Sequence, residues 1–111
     1  MIEEILTEAG VAFEQSHFIR KPQGNYAVYF DDIVLDGIDR ESVVLGQSMP
    51  AVRTHNVRIE LYEPVRDDEI EAAVERAMLS RGLAFSKEDR YWLSDAQSYQ
   101  VIYELNYTDK L

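Results

Sequence analysis

Apolar positions first recur at helical spacing over residues 2–9, where Ile2, Ile5, Leu6 and Ala9 share one face, acids fill the other, and Gly10 is placed to end the turn. This pattern predicts a short amphipathic helix. Val11-Ala12-Phe13-Glu14 starts an extended segment, and Lys21-Pro22-Gln23-Gly24-Asn25 concentrates turn formers. Tyr26-Ala27-Val28-Tyr29-Phe30 is wholly apolar or aromatic, which predicts a central strand with both faces covered. Between 31 and 50, Asp36-Gly37 and Gly46 interrupt the patches Ile33-Val34-Leu35 and Val43-Val44-Leu45, as expected of an irregular hairpin extension. Strict alternation returns with Val57, Ile59 and Leu61 against Asn56, Arg58, Glu60 and Tyr62, and Pro64 stops that strand.

Asp68, followed three residues later by Glu71, predicts a helix start, and the acids of 67–71 suit its positive dipole end. Ile70, Ala73, Val74, Ala77 and Met78 make its apolar stripe, Glu71, Glu75 and Arg76 are expected to face water, and Gly82 supplies a left-handed end. Residues 83–85 and 90–93 read as short strands and 98–107 as a long one, with Tyr99, Val101, Tyr103, Leu105 and Tyr107 on one face. The order helix, strands, helix, strands predicts an α+β fold: two helices packed on one face of a mainly antiparallel sheet, in a single domain spanning 1–111.

Composition narrows the partners. Eleven Lys and Arg against 21 Asp and Glu leave a net charge of −10, which repels phosphate backbones and disfavours a conventional nucleic-acid binder. The chain has no cysteine, so disulfides and thiolate chemistry are absent. Its longest apolar run is far below the roughly 18 residues of a membrane span, and the start lacks a basic leader, which leads us to expect a soluble, unexported protein.

Candidate chemistry is sparse. His17 and His55 are far apart, and neither has a His or Cys at ligand spacing, so no metal is expected. Ser16 and His17 are neighbours, but adjacent strand residues point to opposite faces, against a nucleophile and base pair. Asp31, Asp32, Asp36 and Asp39 invite a calcium loop. Counting from Asp32, however, puts Val34 and Val43 at positions three and twelve, where oxygen ligands are required. The five glycines are dispersed and form no phosphate-cradling loop. No catalytic, cofactor or metal residues are therefore expected. The tyrosine stripe Tyr99, Tyr103 and Tyr107 reads mostly as core.

The helix ending at Ala9-Gly10, the strand running into Phe30, Val57-Arg58-Ile59-Glu60-Leu61-Tyr62, Asp67-Asp68-Glu69-Ile70-Glu71 and Tyr99-Gln100-Val101-Ile102-Tyr103-Glu104 resemble a family of small proteins from tailed phages and prophages of Gram-positive bacteria: the tail terminator, or tail-completion, group of head-tail joining proteins. The likeness covers most of the chain in order and is weakest over 31–50. It implies a structural protein, not an enzyme, that assembles with itself into a ring, commonly a hexamer in the family. Such a ring caps the tail tube protein and meets the head connector proteins, after assembly in the host cytoplasm, at the head-tail junction of the virion. An acidic DNA mimic that inhibits a basic enzyme and a small ligand-binding domain are the alternatives. The extension is expected to supply an interface through Ile33, Val34, Leu35, Val43, Val44 and Leu45, because a domain this small cannot easily cover them itself.

Overall fold

Helix α1 (Ile2–Ala9) buries Ile2, Ile5 and Leu6 and ends where Gly10 takes φ 79°, a left-handed conformation that glycine adopts without steric cost. The computed structural model describes residues 1–17, 22–36, 52–88 and 90–110. After α1 come β1 (Ala12–Gln15), β2 (Tyr26–Asp36), β3 (Val52–Glu63), α2 (Asp68–Leu79), β4 (Phe85–Lys87), β5 (Tyr91–Leu93) and β6 (Ser98–Lys110). The strand order is β1-β2-β3-β6, with β4 and β5 both pairing with β6. Every described pairing is antiparallel except that of β1 with β2.

Two long antiparallel pairings set the register. Ile59 lies opposite Tyr29 on one side and Tyr103 on the other, so the odd-numbered residues of β2, β3 and β6 share one face. Both helices pack on that face. Ile5 and Leu6 of α1 and Val74, Ala77 and Met78 of α2 join Ala27, Ile59, Leu61, Val101 and Tyr103 in one core. The expected α+β layering is what the chain forms, and the stripe of α2 is buried as its spacing predicts.

Two expectations over these elements need correction. The N-cap of α2 is Asp67 rather than Asp68. Asp67 is extended, at φ −134° and ψ 90°, and its Oδ1 accepts from the Ile70 N–H at 3.1 Å. The first half of the supposed irregular extension is regular, since β2 continues without a break to Asp36. Ile33-Val34-Leu35 shows no apolar-polar alternation, but residues 52–55 supply a partner strand, and cross-strand pairing overrides the weak local pattern. Val43, Val44 and Leu45 lie outside the described residues.

β1 stops level with Tyr29, and β4 stops at Leu105, which is level with Asp31. Beyond that height, among the described residues, only β2, β3 and β6 continue, as a three-stranded arm. Replacing Val74, which is fully buried, with Asp puts an unpaired carboxylate in the core at a cost of roughly 3–5 kcal/mol. We expect the Val74→Asp protein to lose its cooperative thermal transition by circular dichroism; an unchanged melting temperature would mean that this face of α2 is not against the sheet.

Candidate functional site

The arm is pinned across its strands by a chain of polar and charged groups on the helix-facing side. His55 of β3 places Nδ1 2.9 Å from Asp31 Oδ2 on β2, and Nε2 3.2 Å from Asp109 Oδ1 on β6. Arg53 donates to both oxygens of Asp109, from Nε at 3.0 Å and Nη2 at 2.8 Å, a planar fork that fixes direction as well as charge. Tyr107 stacks on the His55 ring with centroids 4.3 Å apart and planes within 6°. Burial raises the Tyr107 phenol pKa, aided by the nearby Asp31 and Asp109 carboxylates. Arg53, through its hydrogen bond, holds the Asp109 carboxyl below its ordinary range. These contacts fix β2, β3 and β6 side by side along the arm.

At the far end of this rigid arm, Ile33, Val34 and Leu35 are 51%, 52% and 57% exposed. Consecutive strand residues point to alternate faces, so Ile33 and Leu35 extend the helix-facing side and Val34 the other. The three described members of the expected interface are therefore wet, apolar and outside the core. On the face away from the helices, Phe30, Asn56, Arg58, Glu60, Ser86 and Glu104 line an open trough of about 650 Å³. Stacked Tyr26 and Tyr62, 4.9 Å apart, flank it, and Gln100 donates to the Tyr62 hydroxyl at 2.9 Å.

A second charged cluster lies at the opposite end of the molecule, where β3 gives way to α2. Glu63 continues the inward parity of Val57, Ile59 and Leu61, so its carboxyl enters the core beneath the start of α2. Its Oε1 accepts from the Asp67 N–H at 3.1 Å, while Oε2 is buried without a protein donor. Glu71, expected to face water, is instead turned inward against Glu63. Arg90 pairs with Glu71 and reaches Asp68 at 2.9 Å, and Lys87 lies 2.9 Å from both Glu71 and Glu75. Tyr103 donates to Glu75 at 2.8 Å. The cations are what make the inward turn affordable, because an unpaired buried carboxylate is strongly disfavoured.

The two buried acids divide the charge. Burial, and then the hydrogen bond to Glu71, push the Glu63 pKa up to about 7. Burial works the same way on Glu71, but its hydrogen bonds with Glu63, Lys87 and Arg90 outweigh that and hold its pKa below the ordinary value. Of the two acids, Glu63 is therefore the one that takes up a proton more readily. Burial first, and then Glu75, raise the Tyr103 phenol well beyond its usual range, so it stays a donor. This arrangement stitches α2 to the β4–β5 edge of the sheet.

Among the other residues singled out in the sequence, His17 is exposed just past β1, and neighbouring Ser16 takes φ 71°. The structure brings neither to His55. Among the described residues no group of three or more His, Cys, Asp or Glu side chains is arranged to hold a metal ion. No described helix is long and apolar enough to cross a membrane. Sequence reasoning overlooked Glu63, Lys87 and Arg90 and turned Glu71 to water, although the parity of β3 was a usable signal for Glu63 and His55. No protein-family model matches the chain, and no curated protein matches it.

The Glu63 site predicts how stability depends on pH. Its folded pKa of about 7 exceeds the unfolded 4.5, so the folded state binds more protons between these values and this group's contribution falls as pH rises through the window. Glu63→Gln keeps an acceptor for the Asp67 N–H and offers a permanent donor to Glu71. We expect its melting temperature to match the wild type near pH 5 and to exceed it at pH 8. Parallel curves for the two proteins across this range would contradict the raised pKa of Glu63.

Proposed function

We propose that the protein is a structural subunit that assembles head to tail into a ring at the head-tail junction of a tailed phage, as a tail terminator does. The observation that carries this reading is the projecting arm: its strands are locked by charged side chains, and its tip presents Ile33, Val34 and Leu35 to water. Burying such residues gains about 25 cal/mol per Å² of apolar area, and a second protein surface is the available cover. A head-to-tail ring needs two different patches on each copy, and an arm on one side of a compact body provides them.

The net charge of −10 keeps free copies apart until a complementary surface arrives. What weighs for a ring over a DNA mimic is the state of the α2 acids. Glu71 is buried, and Asp68 and Glu75 are engaged by Arg90 and Lys87, so this face does not offer a row of free carboxylates. The tail tube protein and the head connector proteins are the partners this role entails.

Size-exclusion chromatography with light scattering, and negative-stain microscopy of concentrated protein, test the reading directly. We expect wild type to form rings and to restore tailed particles in a phage lacking its terminator. The double variant Val34→Asp, Leu35→Asp is expected to keep its melting temperature within a few degrees, since both side chains are exposed, and to lose ring formation. Monomers at every concentration, or rings unaffected by both substitutions, would overturn the proposal.

A further inference from the structure

Building on the ring reading, we infer that copies join by β-augmentation, the arm edge of β2 in one copy pairing in parallel with the arm edge of β6 in the next. Among the described residues, no strand pairs with the outer side of β2 beyond Tyr29, or with the outer side of β6 beyond Leu105. Both edges open at nearly the same height, on opposite sides of the same three strands. An open strand edge presents a row of backbone donors and acceptors that can template another strand.

The hydrogen-bond parity of the two edges is complementary. The Ser16 N–H donates to the Tyr29 carbonyl, so the odd-numbered residues of β2 point their backbone groups outward, and along the arm these are Asp31, Ile33 and Leu35. The Glu88 N–H donates to the Ile102 carbonyl, so the even-numbered residues of β6 point outward, and along the arm these are Asn106, Thr108 and Lys110. Within one copy, β2 and β6 run the same way, because each is antiparallel to β3. Copies related by rotation about an axis along the strands therefore bring these edges together in parallel.

In a parallel pair, an outward residue bonds to the two neighbours of the residue level with it. Ile33 is level with Tyr107, so it meets Asn106 and Thr108, the residues whose backbone groups point outward. The same register keeps side-chain faces continuous, since Ile33 and Tyr107 both belong to the helix-facing side. A slip of one residue breaks both matches.

Charge favours this partner over a second β2. The β2 sequence carries Asp31, Asp32 and Asp36 and no cation, so pairing two such edges gathers six carboxylates in a short ladder. The β6 edge offers Asn106, Thr108 and Lys110, and Asp109 is already engaged by Arg53 and His55. The bodies, widened by β1 and β4, diverge on either side of the joined tips as the sheet twists.

The absence of cysteine makes a clean cross-linking test possible. Val34 and Thr108 are level in register but separated by β3, about 10 Å apart and too far for a disulfide within one copy. With the double variant Val34→Cys, Thr108→Cys, mild oxidation is expected to give a ladder of covalent multimers on a denaturing gel, and neither single variant should give one. Ile33→Pro removes an outward N–H without touching the β3 ladder. It should keep its melting temperature yet lose rings, whereas Ile33→Thr, which retains the N–H, should keep them.

Dimers from Val34→Cys alone, with no ladder from the double variant, would overturn the pairing in favour of a two-fold contact. Rings of wild type that persist in a folded Ile33→Pro protein, with no ladder, would overturn the pairing and leave the ring reading standing. The absence of wild-type rings overturns both.

Discussion

The long antiparallel pairing of β3 with β6 is the constraint on which the rest of the molecule hangs. All twelve residues of β3 find a partner, from Val52 opposite Lys110 to Glu63 opposite Tyr99, so one ladder runs from the arm into the body. At the body end its odd-numbered face is apolar and takes both helices. At the arm end the same face turns polar at His55 and Arg53. One register therefore decides both what is core and what projects.

Each end of that ladder is closed by charge rather than by apolar packing. Toward the arm, Asp31, His55, Asp109 and Arg53 join three strands; toward the body, Glu63 and Glu71 with Arg90 and Lys87 join strand, helix and edge. Both clusters are semi-buried, so they are costly if any partner is lost and directional while all are present. Three of the chain's eleven Lys and Arg, namely Arg53, Lys87 and Arg90, sit in these two clusters.

Much of the fold was legible because periodicity is a local signal. The stripe of α2, the alternation of 57–61, the Gly10 stop and the inward face of the last strand all emerged from spacing alone, and buried Tyr103 confirms the central member of the tyrosine stripe as core. What could not be read locally was tertiary. Residues 32–35 lack alternation because both of their faces are wet, and pairing with 53–56 makes them a strand. Glu71 looked solvent-facing since nothing nearby in sequence announces Arg90 or Lys87, which arrive from the β4–β5 edge of the sheet. His55 and Glu63 carried a signal that went unused: they hold the inward parity of β3, and a polar residue on a buried parity needs a partner.

The account stands on the claim that assembly completes the free edges of the arm. Backbone amide hydrogen exchange, compared between free copies and assembled rings, measures this residue by residue. The N–H groups of Ile33 and Leu35 should exchange freely in the monomer and become protected in the ring, while those of Asp32 and Val34, directed at β3, are protected in both. Equal exchange at Ile33 and Leu35 before and after assembly would contradict it.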